Sequence, residues 1–127
     1  MPLVTLNLRK GRSPDVRRAM ADAVHAALVA NLAIPESDRF QLIREYDDAD
    51  YIHTDAHLDL TYSRDLVMLE VAFIEGRSDE IKKALIADLA ARLTAAVGLR
   101  PDDLFITFTE VGRANVSFGK GLAQRAL

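Results

Sequence analysis

The chain repeats itself: the segment Gly11-Arg12-Ser13 recurs as Gly76-Arg77-Ser78, an offset of 65 residues. Further identities fall in the same register without a gap, and they include Asp, Phe and Glu as well as alanine. They are Ala19 with Ala84, Ala26 with Ala91, Asp38 with Asp103, Phe40 with Phe105 and Glu45 with Glu110. Because a fixed period indicates a repeated supersecondary unit, both halves are predicted to adopt the same fold.

Each half begins with a strand pattern and continues with a helix pattern. Apolar residues alternate first, which is the period of a β-strand. The alternating positions are Val4, Leu6 and Leu8, and their counterparts Leu69, Val71 and Phe73. Ser13 and Ser78 then stand where N-caps are expected, with Pro14 at a first helical position. The residues predicted to share a helix face are Val16, Met20, Val24, Ala27 and Leu28, and Ile81, Leu85, Leu89, Leu93 and Ala96.

A second strand is predicted in each half, over residues 40–46 and 105–111. Each half is therefore a β-α-β unit, and a crossover of this kind makes its two strands parallel. The predicted fold is α+β, with a four-stranded sheet and two helices on one face. Apolar residues on the opposite face, Leu3, Met68 and Ala72, predict that other subunits of a symmetric oligomer bury it.

The chain is predicted to be a single domain over residues 1–127, with repeats of about 1–52 and 66–127 and a connector of about 53–65. A glycine-bounded hairpin or short strand is expected over residues 116–121. The connector carries His53-Thr54-Asp55-Ala56-His57, which lacks a clear fourth metal ligand, so a solvated polar segment is favoured over a metal site. His25 is expected to be a partly exposed helix residue.

Charge and composition argue against several classes of partner. The formal charge is −3 with both signs mixed along the chain, so neither nucleic acid nor a membrane surface is an expected partner. No signal peptide pattern or membrane-length apolar run is found. The absence of cysteine excludes disulfides and favours a cytoplasmic enzyme. No cofactor is expected, since no phosphate loop or zinc signature occurs.

Pro2 follows the initiator methionine directly. If Met1 is removed, Pro2 carries a secondary amine, which is a possible catalytic acid-base. An exposed α-amine has a pKa of about 7.7 to 8.0. An apolar pocket and a nearby arginine would lower that pKa towards neutrality and favour a general base. The alternative is that Pro2 is an ordinary residue without a catalytic role.

The proline, the Gly-Arg-Ser helix starts and the second strand ending in Glu resemble 4-oxalocrotonate tautomerase and the wider tautomerase superfamily, across the whole chain. The resemblance implies the tautomerase (MIF-like) fold. Residues 35–41, Pro-Glu-Ser-Asp-Arg-Phe-Gln, and the stretch Val116-Ser117-Phe118-Gly119 resemble the malonate semialdehyde decarboxylase branch. Members of that branch are homotrimers, so a homotrimer is the implied assembly.

The resemblance implies a set of site residues. Pro2 would be the catalytic amine, assisted by Asp38, and Arg77 would act in catalysis and anchor a substrate carboxylate. Substrate-binding roles are also implied for Tyr51, Val116 and Phe118. Solvated or capping roles are the alternatives for Arg77 and Asp38, and packing roles for the aromatic residues.

One departure bears on the reaction. The branch carries two closely spaced arginines where this chain reads Ile74-Glu75-Gly76-Arg77, which leaves one arginine. The first repeat has Arg12, but Val67 stands where its pocket would need a proline, so that pocket is interpreted as vestigial. The predicted function is a tautomerase for a small 2-oxo or enol carboxylic acid. The alternatives are a malonate semialdehyde decarboxylase-like decarboxylase or hydratase and an inert trimeric binding protein.

Overall fold

The computed structural model describes residues 1–127. Strand, helix and strand follow one another twice, and a two-stranded hairpin separates the halves. The first half contains β1 (Leu3–Arg9), α1 (Pro14–Leu32) and β2 (Phe40–Tyr46), and the hairpin contains β3 (Ala56–His57) and β4 (Leu60–Thr61). The second half contains β5 (Val67–Ile74), α2 (Asp79–Val97) and β6 (Leu104–Val111). Single 3-10 turns follow β2 and β6, precede β6 and end the chain.

The main sheet has the strand order β2-β1-β5-β6. Strands β1 and β2 are parallel, as are β5 and β6, which confirms the two β-α-β units. Strands β1 and β5 are antiparallel, and Leu3 pairs with Ala72. Continuing that register places the N-terminus level with Ile74, just before Gly76 and Arg77. The sheet therefore brings the second repeat's Gly-Arg-Ser turn to the start of the chain.

Both helices begin as predicted. The hydroxyl oxygens of Ser13 and Ser78 accept hydrogen bonds from the backbone of Val16 and Ile81, each at 3.2 Å. Helix α2 ends at Gly98, whose φ of 69° suits glycine. Helix α1 ends instead at Ala33, at φ 53° and ψ 41°. An L-residue pays about 1 kcal/mol for that left-handed conformation.

The core lies between the two helices and one face of the sheet, and it contains 17 buried residues. They include most of the predicted faces, such as Met20, Leu85 and Phe73. Three members of the predicted helix faces are nevertheless exposed: Val16 and Ile81 in the first helical turns and Ala96 near the end of α2. His25 is buried, contrary to expectation, because its Nε2 donates to the carbonyl of Glu36 at 2.8 Å.

Neither helix covers the opposite face of the sheet, which carries Leu3, Phe40, Leu42 and Phe105, and Phe118 of the C-terminal segment approaches it at Phe40. The four large apolar side chains of the sheet itself remain between 41% and 51% exposed. None of the helices is both long and apolar enough to span a bilayer. Exposed apolar side chains grouped on one sheet face are typical of an interaction surface.

Candidate active site

A cavity of about 420 Å³ opens where the N-terminus meets the Gly-Arg-Ser turn of the second repeat. Met1, Asp38, Ile74 and Arg77 are among its lining residues. The amine of Met1 donates to Asp38 Oδ2 at 2.7 Å, and both groups are largely withdrawn from solvent. Pro2 is buried immediately behind Met1. The structure thus brings Met1, Asp38 and Arg77 to one cavity from three separate segments, and Pro2 is the next residue along the chain.

Two backbone carbonyls hold the guanidinium of Arg77. Its Nη1 donates to Ile74 O at 3.1 Å and its Nη2 donates to Leu32 O at 3.2 Å. The group also lies 5.6 Å from the centre of the Phe73 ring. Because a guanidinium has five N–H donors, these contacts leave donors available to an anion in the cavity. A solvated arginine, the alternative for this residue, would lack such anchoring.

Asp38 and its repeat counterpart Asp103 have different environments. Asp38 follows a turn, in which its backbone N–H donates to Pro35 O at 3.0 Å, and its carboxylate faces the cavity. Asp103 is only 1% exposed. It accepts hydrogen bonds from Ser63 N at 2.8 Å and from Ser63 Oγ at 2.6 Å. Asp103 therefore holds the connector against the second repeat, whereas the carboxylate of Asp38 pairs with the amine of the chain terminus.

A second, smaller cavity of about 210 Å³ lies on the other side of the N-terminal segment. It is lined by Met1, Pro2, Leu3, Phe40, Val116, Ser117 and Phe118. The rings of Phe40 and Phe118 are 6.1 Å apart, which helps to hold the C-terminal segment against the sheet. Pro2 therefore lines the smaller, predominantly apolar cavity together with Val116 and Phe118. Its neighbour Met1 lines the larger, charged cavity as well.

Two further arginines line the larger cavity, and the sequence reasoning missed both. Arg113 begins the 3-10 turn after β6, and Arg125 lies in the last turn of the chain. Residues 74–77 contribute one arginine to the cavity, and two other segments contribute the rest. Because β5 and β6 are parallel neighbours, the residues that follow them lie at one edge of the sheet. That adjacency was available from the predicted topology and could have suggested Arg113.

Tyr51 lies apart from the cavity within the chain, at the far end of β1. Its buried hydroxyl is 2.8 Å from Asn7 O and 2.9 Å from Leu66 O, and it accepts from Met68 N at 3.1 Å. Burial is the main cause that raises the pKa of the Tyr51 phenol. Within the chain, Tyr51 ties the connector to the sheet, and its substrate-binding role stays a prediction.

The equivalent region of the other repeat also contains a polar cavity, but it has no chain terminus and so no free amine. A cavity of about 180 Å³ is lined by Arg12, Asp65 and Asp103, among others. Arg12 Nη2 donates to the backbone oxygen of Asp65 at 2.6 Å. Val67 begins β5 inside the chain and has no free amine. In the connector, His53 is 3.0 Å from Arg9 Nη1, and the structure brings no group of three metal-ligating side chains together.

The fold and the site define a class of protein: a duplicated β-α-β enzyme with its N-terminus beside an arginine-lined cavity. The chain belongs to the tautomerase family. Two family models, both described as tautomerase enzyme, match residues 38–119 and 2–58. A probable tautomerase of Bacillus subtilis, YusQ, is 31% identical over 98% of both chains. The chain is therefore a two-repeat member of this enzyme family, and its chemistry is of the tautomerase type.

Two solved structures share the whole fold. FG41 malonate semialdehyde decarboxylase inhibited by 3-bromopropiolate is 42% identical, with a TM-score of 0.89, over 96% of this chain and 92% of that chain. A fused 4-OT (4-oxalocrotonate tautomerase) described as a symmetric trimer is 24% identical, with a TM-score of 0.80, over 98% of both chains. The fold is thus common to relatives of both branches that the sequence resembles.

Proposed function

We propose that the protein is a cofactor-independent tautomerase that interconverts the enol and 2-oxo forms of a small carboxylic acid through the amine of Pro2. The observation that carries the proposal is the position of the N-terminus in a cavity that also contains Arg77 and Asp38. Removal of Met1 would transfer the free amine to Pro2, one residue nearer the sheet. The carboxylate of Asp38 is already placed to pair with a terminal amine.

Each group has a distinct part in the proposed reaction. The guanidinium of Arg77 binds the substrate carboxylate through charge-assisted hydrogen bonds. The neutral amine of Pro2 takes the proton of the enol hydroxyl, and the resulting ammonium returns a proton to the adjacent carbon as the ketone forms. The uncharged part of the substrate extends toward Val116 and Phe118 of the smaller, apolar cavity. One proton is removed from oxygen and one is added to carbon, so the reaction balances without a cofactor.

Two kinds of charge act on the proposed Pro2 amine in opposite directions. The arginines of the cavity repel a cationic amine, while the carboxylate of Asp38 attracts one. A neutral amine suits removal of the enol proton. A protonated amine suits the alternative reaction, in which a proton is delivered to the substrate during decarboxylation or hydration.

Decarboxylation or hydration is the second candidate. The placement of Asp38 beside the terminal amine favours it, as does the 42% identity to a malonate semialdehyde decarboxylase. Arg113 and Arg125 also provide cavity cations in addition to Arg77. A trimer that binds a small acid without turnover is the third candidate.

The proposed assembly is a homotrimer. The open sheet face with Leu3, Phe40, Leu42 and Phe105 supports it, because no helix of the chain covers this face and these side chains remain exposed. The symmetric trimer reported for a fused 4-OT of the same fold supports it as well. In such an assembly the sheet faces of neighbouring chains would supply the missing cover.

The test begins with the intact mass and with ketonisation of enol-phenylpyruvate on the same sample. A mass lower by one methionine is expected together with turnover. Pro2→Ala leaves a primary amine at the processed terminus and removes the ring that fixes its geometry, so it should lower kcat/KM by about tenfold or more. Unchanged turnover in that variant would refute the proposed mechanism.

Arg77→Ala has a matched control in Arg12→Ala, which removes the same side chain from the equivalent position of the other repeat. Loss of the Arg77 guanidinium should reduce kcat/KM by about 10- to 100-fold, as for a charged hydrogen bond. Arg12→Ala should leave it within about twofold, since its cavity has no terminal amine. Equal effects of the two variants would mean that Arg77 has no special role.

A further inference from the structure

The four strands of the main sheet carry five charged side chains, and three of these are in ion pairs. The three pairs are Arg9 with Asp48, Glu45 with Arg17 and Glu110 with Lys82. The other two charged side chains, Arg44 on β2 and Glu70 on β5, take part in none of the ion pairs of the chain. One positive and one negative charge are therefore left without a partner on the sheet.

Arg44 and Glu70 lie on the open face of the sheet, on the side away from the helices. Both line a concavity of about 270 Å³ in that face, to which Leu3 and Thr5 also contribute. The Nδ2 of Asn7 donates to Glu70 Oε2 at 2.9 Å. Both charged residues are exposed, and neither Glu70 Oε1 nor the guanidinium of Arg44 makes a hydrogen bond within the chain. These groups are therefore free to bind a partner outside it.

The strand register keeps the two charges apart within one chain. Glu70 pairs with Thr5 on β1, whereas Arg44 pairs with Asn7 on the other side of the same strand. Two strand spacings of about 4.8 Å and a shift of two residues therefore separate their backbones. Strand β2 is an edge of the sheet and β5 is an inner strand. The positive charge thus lies near the rim of the open face and the negative charge nearer its middle.

Large apolar side chains share the open face with these charges, among them Leu42 on β2 and Phe105 on β6. A second copy of the chain that covers the face would withdraw water from Arg44 and Glu70. A charge that loses water without gaining a partner is strongly unfavourable, and a like charge opposite it adds to the cost. An opposite charge on the covering copy reduces that cost. Each copy presents one charge of each sign, so two copies are complementary in charge.

We infer that Arg44 of each subunit forms an ion pair with Glu70 of the partner subunit where two open sheet faces meet. The inference rests on the proposed homotrimer, and it specifies the contact that orients the subunits. In a ring of three identical chains, each chain offers Arg44 to one neighbour and Glu70 to the other, so three equivalent pairs form. Apolar burial is non-directional, whereas a charge pair specifies which residues meet. The ion pair therefore determines the register of the subunits.

The experiment reverses each charge separately and then both together. Arg44→Glu should place two carboxylates opposite each other, and Glu70→Arg should place two cations there. Each single reversal should weaken the association of subunits on the order of 100-fold, because like charges meet in a contact that excludes water. The double reversal exchanges the two charges and should recover the trimer at the concentration at which the unaltered chain forms it. Sedimentation equilibrium over a range of protein concentrations measures the association.

A mixing experiment distinguishes a pair between subunits from a pair within one chain. The two single variants are combined in equal amounts, and two of the three contacts in a mixed trimer then join opposite charges. Association should therefore exceed that of either variant alone, which a pair within one chain could not produce. Lys83→Glu is the matched control for charge, because Lys83 is exposed on α2 and makes no ion pair. It should leave the trimer unchanged.

Failure of the inference is distinguishable from failure of the proposed function, because turnover and circular dichroism are measured on the same samples. A trimer that tolerates either single reversal refutes the ion pair, and so does a folded double variant that stays dissociated. Recovery in the double variant without recovery on mixing refutes a pair between subunits. If a single reversal unfolds the chain, the double reversal decides. An unaltered chain that forms no trimer refutes both the assembly and the pair, while turnover that depends on Pro2 would still support the tautomerase.

Discussion

The two equivalent aspartates should respond in opposite ways to the same substitution. Asp103→Asn replaces one acceptor oxygen by an amide donor, although Ser63 N and Ser63 Oγ both need acceptors, at 2.8 and 2.6 Å. Leaving one such buried donor unsatisfied costs about 1 to 3 kcal/mol. The weaker contact with the half-exposed Arg100, at 3.3 Å, adds less than about 1 kcal/mol. The expected loss is therefore about 1 to 4 kcal/mol, with a middle value of about 2.5 kcal/mol.

Asp38→Asn removes a single charged contact, and its amide oxygen can still accept a hydrogen bond from the terminal amine. Its expected effect on the free energy of unfolding is about 1 kcal/mol or less. At about 4 °C per kcal/mol for a chain of this size, the Tm should fall by about 10 °C for Asp103→Asn and by less than about 4 °C for Asp38→Asn. Turnover should show the reverse order, because only Asp38 lies in the proposed active cavity.

The assay is urea and thermal unfolding followed by far-ultraviolet circular dichroism, since the chain has no tryptophan. Protein concentration must be held constant, because an oligomer's apparent stability depends on it. Equal destabilisation by the two variants, or a larger effect of Asp38→Asn, would refute the division of roles. Turnover that is impaired more by Asp103→Asn than by Asp38→Asn, at a temperature where both are folded, would refute it as well.

Three further outcomes are expected. Ala33→Gly should stabilise the chain by up to about 1 kcal/mol, because glycine relieves the left-handed conformation at φ 53°, and denaturant titration would show no gain if the strain were absent. Tyr51→Phe should cost about 1 to 3 kcal/mol by leaving Met68 N without its acceptor. Since burial raises the Tyr51 pKa above its ordinary value of 10.0, the folded state keeps the phenol's proton longer than the unfolded chain does. That stabilisation is complete below pH 10 and is lost as pH rises through the folded pKa, so unfolding measured between pH 9 and about 11 should lose this slope in the Phe variant. Leu42→Glu, on the open sheet face, should dissociate the proposed trimer in analytical ultracentrifugation, and a persistent trimer would place the interface elsewhere.

The parts of the fold that depend on near neighbours were predictable. The N-caps at Ser13 and Ser78 and the alternation of the strands involve residues a few positions apart, so the sequence alone indicates them. The burial of His25 was not predictable in this way, because its partner is the carbonyl of Glu36 beyond the end of α1. The contacts of Tyr51 with Asn7 and Leu66 were not predictable either, because the pairing of β1 with β5 brings those two residues together.

The sequence by itself determined the duplicated β-α-β units, the candidate residues Pro2, Asp38 and Arg77 and the relationship to the tautomerases. Tertiary structure decided which segments share the cavity. The antiparallel register of β1 and β5 sets Met1 level with Ile74, and the turns after β6 and at the chain end add Arg113 and Arg125. Strand register and chain reversal join residues far apart in sequence, and no local periodicity encodes those distances.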